Sequence, residues 1–361
     1  MLEKGIVCLS ALSFNLIWIN AFFIRFGYLS KIGTLFFIVF GVFYSFSFFK
    51  KDWRKLVCTF VFFVLMAITI KYPVKDLFLS VVLMFLLSHS ASIRKSFSVA
   101  IKMFALIAAV FILLSLFDVY GVVKTSHNRW LGRYVLGFVT PFHLAEFSVC
   151  MYVYFIYRKS IDYRKLYLSL NSFLVFLTAS RVIMLSVFLL WFEFIFKRNV
   201  VKKVFVCLLL FCQFILFLSM FMHEDKKSFY SSRDLVSKGI FNEYSDAIDR
   251  GEYYKLIVGI KNNKQLADDV SVKRWESSVP LDGFFIQAFS SGLLGGVMFA
   301  FLMISLFRVS VLNIKKFIIF STFLVFGVGA NMFNLWHILT PLCFYCLYDP
   351  KNNLSGNENA A

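Results

Sequence analysis

Long apolar runs separated by short polar segments make up most of this 361-residue chain. A helix needs about 20 apolar residues to cross the hydrocarbon core of a bilayer, and about twelve segments come close to that length. They are 5–24, 32–49, 56–71, 76–90, 98–119, 134–157, 165–179, 181–196, 203–222, 283–307, 316–332 and 334–348. The pattern therefore predicts an all-α, polytopic integral membrane protein.

The composition agrees with this pattern. Of the residues, 60% are hydrophobic and only 16% are charged, whereas soluble domains are about half apolar and about a quarter charged. The net charge of +18 would indicate nucleic-acid binding in a soluble protein. Here the basic residues fall between the predicted spans, as membrane topology requires, so we expect no nucleic-acid partner.

The distribution of lysine and arginine predicts the orientation. With the N-terminus inside, the inner segments hold more than twice as many of these residues as the short outer loops, which follows the positive-inside rule. Both termini are then cytoplasmic. Spans one to nine occupy 1–222, one large extracytoplasmic loop occupies 223–282, spans ten to twelve occupy 283–348, and 349–361 is a disordered cytoplasmic tail.

Polar side chains inside the predicted spans concentrate toward their outer halves. They are Asn171, Arg181, His143, Glu146, Gln287, Asn331, Asn334 and His337. Ionisable residues within membrane spans are costly and usually functional. A transporter would be expected to place its site nearer the midplane, so this distribution favours chemistry or binding at the outer face.

Arg181 interrupts the apolar stretch FLVFLTASRVIMLSVFLL, at the outer turn between two predicted spans. One interpretation is that its side chain reaches out to lipid headgroups. The positive-inside rule disfavours arginine at such a position, however, and other polar residues share its depth. A guanidinium binds phosphate through two parallel hydrogen bonds and stays charged. This favours a lipid-linked phosphate or diphosphate as the ligand.

Four stretches resemble, in their order, the Wzy-type polysaccharide repeat-unit polymerases of O-antigen and capsule synthesis. They are NRWLGRYVLGFVTPFHLAEF (128–147), FLTASRVIML (176–185), FYSSRDLVSKGIF (229–241) and PLDGFFIQAFSSGLLGGVMF (280–299). The resemblance covers most of residues 125 to 300. The chain departs from the family pattern at three positions, with Phe142 and Gly283 where asparagine is usual and Ala179 where glycine is usual.

The resemblance implies a glycosyltransferase in the bacterial cytoplasmic membrane. Such a polymerase transfers the growing glycan from undecaprenyl diphosphate to a new lipid-linked repeat unit, so its partners are the lipid-linked oligosaccharide and membrane lipid. A chain-length regulator and a flippase of the same pathway would be further partners. No metal and no cofactor is expected, since no acidic or histidine cluster has metal-ligand spacing.

Site residues follow from this chemistry. Preorganised cations would stabilise the leaving diphosphate, and a positioned histidine or carboxylate would take the proton of the acceptor hydroxyl. His143 and Glu146 share a helix face at i and i+3, although His143 is equally well explained as a hydrogen-bonded packing residue. The predicted catalytic residues are Arg181, Arg233, His143 and Glu146, and the predicted substrate-binding residues are Arg133, Arg129, Asp282, His337 and Asn171.

Three other classes remain open. An O-antigen-ligase-like glycosyltransferase would use the same lipid donor, but it is expected to carry a functional histidine in its large loop, where this chain has only His223, at the very start. A flippase or transporter of lipid-linked sugars would place charges at all depths. A membrane acyltransferase would need a cytoplasmic histidine and acid, which His89 and its neighbours do not supply.

Overall fold

The structure is a computed structural model that describes part of the chain, and within that part the regular structure is helical apart from one short ladder. The described residues are 2–24, 32–33, 35, 57, 61, 74–120, 124–125, 133–158, 164–178, 181–191, 198–222, 233–260, 283–327, 332–333 and 337–348. The ladder pairs β1 (Lys124–Thr125) antiparallel with β2 (Arg133–Tyr134). The predicted all-α class is thus confirmed for this part.

The helices follow the apolar runs closely. They are α1 (Leu2–Ile19, continued by a π-helical turn, Asn20–Ile24), α2 (Val74–His89), α3 (Ala91–Leu116), α4 (Pro141–Arg158), α5 (Arg164–Leu177), α6 (Arg181–Trp191), α7 (Asn199–Met222), α8 (Arg233–Asp249), α9 (Tyr254–Val258), α10 (Phe284–Ser290), α11 (Gly292–Ser310), α12 (Ile314–Phe326) and α13 (Leu339–Leu347).

Two of these helices, α3 and α11, are long and apolar enough to cross a membrane by length and composition. In the most apolar 18-residue stretch of each helix, only 28% is buried. Neither helix therefore resembles the buried core helix of a soluble protein. Side chains such as Leu106, Leu113 and Leu293 are instead largely exposed. This is weak support for a membrane protein. The number of spans and the large loop stay predictions.

Most helix boundaries differ from the predicted spans by a few residues, and three differences change a predicted span or connection. The segment between the fourth and fifth predicted spans is helical, and only Ser90 separates α2 from α3. Ser90 is the N-cap of α3, since its side chain accepts a hydrogen bond from the Ile93 amide at 3.2 Å. The tenth predicted span is broken at Ser291. The sixth begins at Pro141 rather than at 134, because a turn with positive φ at Leu136 and Gly137 precedes it.

Helices α1, α3, α4 and α13 form the part of the core that positions the site. Ala100 of α3 accepts a hydrogen bond from Asn15 at 3.3 Å, and Phe104 packs on Phe22 at 5.4 Å between ring centroids, so α1 and α3 run in the same direction. Tyr154 near the end of α4 lies 2.7 Å from Ser98 near the start of α3. Helix α4 therefore runs in the opposite direction.

Helix α13 also runs opposite to α3, and Arg94 holds its C-terminus. The guanidinium donates to the carbonyl oxygens of Tyr345 at 2.8 Å and Tyr348 at 3.1 Å, and to that of Leu87 at 3.0 Å. It also lies over the Tyr345 ring, 4.5 Å from the centroid. A cation at a helix C-terminus is favoured by the helix dipole. We call this end of the four helices the Arg94 end, and the opposite one the Pro141 end.

The helices of the predicted outer loop dock on the break between α10 and α11. Tyr244 of α8 donates to the Phe289 carbonyl at 2.7 Å, and the Ile260 amide donates to that of Ser290 at 3.0 Å. Gly259, which follows α9, approaches so closely that a Cβ atom there would lie 2.3 Å from the Ser290 oxygen. The described part of residues 223–282 is thus helical and packed rather than an irregular loop.

We expect Arg94→Ala to lower the free energy of unfolding by about 2 kcal/mol, because the last carbonyls of α13 lose a charged donor. The measurement is unfolding of the purified protein in detergent. Lys95→Ala, an exposed neighbour on the same helix, is the matched control and should change stability little. Equal effects of the two substitutions would contradict the assigned role of Arg94.

Candidate functional site

Glu146, which is buried, and His337, which is partly exposed, form a pair at the Pro141 end. Glu146 is fully buried, and its Oε2 lies 2.8 Å from Nδ1 of His337. Its Oε1 accepts a hydrogen bond from the Leu339 amide at 3.3 Å. A buried carboxylate is costly unless it is paired and hydrogen-bonded. Both carboxylate oxygens are bonded here, so the pair satisfies that condition.

Two helix termini hold the pair in place. Glu146 lies in the second turn of α4, whose start is fixed by Pro141. Leu339 is the first residue of α13, so its amide belongs to the positive end of that helix, where a carboxylate is favoured. Helix α13 therefore has an acidic side chain at its N-terminus and a basic one, Arg94, at its C-terminus.

Gln287 fixes the chain that leads to His337. Its Nε2 donates to the Phe333 carbonyl at 2.9 Å, and its Oε1 accepts from the Phe333 amide at 3.3 Å. The Thr340 hydroxyl donates to the Met332 carbonyl. Since Gln287 is buried in α10, its paired bonds attach Phe333, four residues before His337, to a second helix.

His143 lies beside the pair. Its Nδ1 is 2.9 Å from the Thr140 hydroxyl, which also accepts a hydrogen bond from the His143 amide at 3.2 Å as the N-cap of α4. The ring centroids of His143 and His337 are 6.5 Å apart, and Phe142 packs on the His337 ring at 5.9 Å. His143 therefore has a local hydrogen-bond partner, Thr140, and also lies next to the Glu146–His337 pair.

The geometry of the pair determines what His337 can do. A carboxylate beside Nδ1 favours the tautomer that carries its proton there, which leaves the lone pair on Nε2. The same carboxylate stabilises the imidazolium that forms when Nε2 takes a proton, as in the oriented histidines of hydrolases. The arrangement is suited to proton transfer at Nε2 of His337, with Glu146 as the orienting group.

His143 and Glu146 lie near the start of a helix that begins later than the predicted sixth span. Helix α4 begins at Pro141, because the positive φ of Gly137 and the missing amide hydrogen of proline favour a turn followed by a helix start. The two residues therefore lie in the first and second turns, close to the end of the helix. Their predicted proximity at i and i+3 is confirmed.

The predicted arginines are only partly covered by the described structure. Arg181 opens α6, Arg233 opens α8 and Arg133 begins β2, but the positions of their side chains are not described. Arg129 and Asp282 lie outside the described residues, as do Asn331 and Asn334. The phosphate-binding and substrate-binding roles assigned to these residues therefore stay predictions.

Asn171 is placed away from the pair. Its Oδ1 accepts a hydrogen bond from the Ser148 hydroxyl at 2.7 Å. Ser148 follows Glu146 by two residues, so the two side chains leave α4 on nearly opposite faces. Glu146 and Asn171, which were predicted at a similar depth, thus lie at two separate locations, one on each side of α4.

Sequence reasoning missed the direct bond between Glu146 and His337. The two residues are 191 positions apart, and the i, i+3 spacing pointed instead to His143 as the partner of Glu146. Their similar predicted depth was the only signal that pointed to the pair. The roles of the Leu339 amide and of Gln287 depend on backbone positions that no residue pattern in the chain indicates.

Comparison with known proteins adds no identification. No protein-family model matches the chain, and neither a curated protein nor a solved structure matches it. The functional conclusion therefore depends on the geometry of the pair and on the resemblance of the four motifs.

We expect the neutral imidazole of His337 to carry its proton on Nδ1. Glu146→Gln should raise the share of the Nε2–H tautomer, because the glutamine amide lacks the negative charge that favours a proton on Nδ1. The ¹⁵N chemical shifts of histidine-labelled protein, measured above the pH at which the ring titrates, report the tautomer. Ser148→Ala, on the other side of α4, is the control and should leave the tautomer unchanged. A wild-type His337 in the Nε2–H form would contradict the assignment.

Proposed function

We propose that this protein is a glycosyltransferase that polymerises lipid-linked oligosaccharide repeat units at the outer face of the bacterial cytoplasmic membrane. The observation that carries the proposal is the hydrogen bond between the buried Glu146 and the partly exposed His337, which provides an oriented proton acceptor at one end of helices with exposed apolar faces. The motif resemblance supplies the substrate class, which is a glycan on undecaprenyl diphosphate.

The directions of the helices support the outer location. Helices α1 and α3 run from the Arg94 end to the Pro141 end, and α4 and α13 run in the opposite direction. The predicted topology requires this, because α1 and α3 correspond to odd-numbered predicted spans and α4 and α13 to even-numbered ones. With both termini cytoplasmic and about twelve spans, the Arg94 end faces the cytoplasm. The Glu146–His337 pair then lies at the outer side, where the lipid-linked substrates are presented.

In the proposed reaction, Nε2 of His337 takes the proton of an acceptor hydroxyl on the new repeat unit. The hydroxyl oxygen forms a bond to the anomeric carbon of the growing glycan while the bond from that carbon to the diphosphate oxygen breaks. The lipid diphosphate leaves with the electron pair. Glu146 holds the ring in position and stabilises the imidazolium.

The leaving diphosphate gains negative charge in this step, and cations stabilise such charge most strongly when they are already in position. Arg181 and Arg233 are proposed for this role, and Arg133 and Arg129 for holding the lipid diphosphate. A guanidinium fits a phosphate group through two parallel hydrogen bonds. The energy for transfer is held in the sugar–diphosphate bond, so the proposed step calls on no further energy source.

Deletion of the gene in its host tests the function. We expect single repeat units to persist on the surface and on the lipid carrier while the ladder of longer glycans disappears, since transfer between carriers is lost. Sizing the glycans on a gel measures this. Long chains that accumulate on the lipid carrier would indicate a ligase instead, and loss of all outer glycan would indicate a transporter.

Complementation of that deletion tests the residues. His337→Gln is expected to reduce polymerisation by about 10²- to 10⁴-fold, the usual contribution of a general base, and Glu146→Gln should be impaired in the same direction. His143→Gln, which alters the neighbouring ring bonded to Thr140, is the matched control and should retain most activity at equal membrane abundance. Full activity of His337→Gln would contradict the proposed base.

A further inference from the structure

Under the proposed membrane location, helix α11 fixes the level of the bilayer. Its 19 residues, Gly292–Ser310, extend about 28 Å at about 1.5 Å per residue, close to the hydrocarbon thickness of about 30 Å. The helix begins at the Pro141 end, because Gln287 of the preceding α10 is bonded to Phe333. Arg308 lies in its last turn, where the inner interface is expected. Gly292 is then at the outer edge of the hydrocarbon core.

Helices α8 and α9 are docked at this outer edge. The break before α11 leaves backbone carbonyls that need protein partners at membrane depth. Tyr244 of α8 donates to the carbonyl of Phe289, and the Ile260 amide after α9 donates to that of Ser290. Helix α9 also packs directly against α11. Both helices therefore lie at the membrane surface and not far out in the water.

The side chains of α8 divide by helix register into three faces. The docked face consists of the buried residues Ile240, Tyr244 and Ala247. The opposite face is exposed and polar, and it consists of Asn242, Ser245, Asp246 and Asp249. Between the two lies an apolar flank formed by Phe241 and Ile248, which are seven positions apart and both about half exposed. Helices with separate apolar and polar faces can lie in the plane of the membrane interface.

The apolar flank of α8 is directed toward the exposed side of α11. Phe241 and Leu293, which is in the first turn of α11, line the same cavity of about 510 Å³. Leu293 is 69% exposed. The exposed side chains of Val297, Phe301 and Ile304 follow it on the same side of α11. The surface that faces lipid on α11 is therefore continuous with the apolar flank of α8.

Helix α9 adds three exposed side chains to this surface, those of Tyr253, Tyr254 and Ile257. Tyrosine is enriched where the bilayer meets water, since its ring is apolar and its hydroxyl is polar. A contiguous apolar patch of this kind is unfavourable in water and marks an interaction surface. Its continuity with α11 and its level at the outer edge of the bilayer identify lipid as the partner.

We propose that α8 and α9 form an interfacial element that lies on the outer leaflet, with Phe241, Ile248 and Ile257 inserted among the phospholipids and Asp246 and Asp249 facing water. The proposal rests on the membrane location proposed above but not on the reaction. It changes the prediction for residues 223–282, whose described helices belong to the membrane surface instead of an aqueous loop. The lipid contact holds these helices beside the mouth of the Pro141 end.

Site-specific photocrosslinking in the full-length protein tests this contact. Benzoylphenylalanine replaces Ile248, Asp246 or Leu293 in separate variants, which are reconstituted in vesicles of dioleoyl phosphatidylethanolamine and phosphatidylglycerol and irradiated. Mass spectrometry then measures the attached phospholipid. We expect lipid adducts at Ile248, and at Leu293 as the positive control. Asp246 is about equally exposed but lies on the polar face, so it is the matched control and should give none above the unirradiated sample.

The outcomes separate the proposal from the membrane location on which it rests. Adducts at Leu293 but not at Ile248 would overturn the interfacial element and leave the membrane location intact. Equal adducts at Ile248 and Asp246, or attachment of Ile248 to a second copy of the chain instead of lipid, would also overturn it. Absence of adducts at Leu293 would overturn the membrane location itself. Ile257 provides a second position on α9 that should give the same result as Ile248.

Discussion

The arrangement of the core depends on the two charges at the ends of α13. Glu146 accepts the first amide of this helix, and Arg94 donates to its last carbonyls. Each charge matches the sign that the helix dipole favours, and each comes from a different helix. Helix α13 is thereby attached to α4 at one end and to α3 at the other, and this attachment brings His337 against Glu146.

This constraint explains why a carboxylate can be tolerated in an otherwise apolar core. Two hydrogen bonds replace the lost hydration of Glu146, and the histidine supplies either a neutral N–H or a compensating positive charge. Removing His337 would leave the carboxylate with the Leu339 amide alone among the residues that the structure describes. The structural and proposed chemical roles of the pair are therefore coupled, and tautomer and activity measurements separate them better than stability measurements do.

Much of the fold was predictable from the sequence, because apolar runs of near-constant length dictate helices whatever their tertiary partners. The boundaries were less predictable: Ser90 and Ser291 separate helices within apolar or mixed stretches, and the turn before Pro141 depends on two positive φ angles. Of the site, the proximity of His143 to Glu146 followed from helix geometry. The bond to His337 did not, since it depends on how two distant helices pack.

Helix α4 separates two environments that the sequence alone places at one depth. Glu146 faces α13, where a histidine and a backbone amide complete its hydrogen bonds, whereas Ser148 faces α5, where the amide of Asn171 is left with an unused donor. Buried polar groups are nearly always hydrogen-bonded, and the Glu146 side of the helix meets this rule through partners on α13 and its N-terminal flank. Under the proposed function, the side of α4 that carries Glu146 is the one that faces the acceptor hydroxyl, because His337 is held there by the carboxylate.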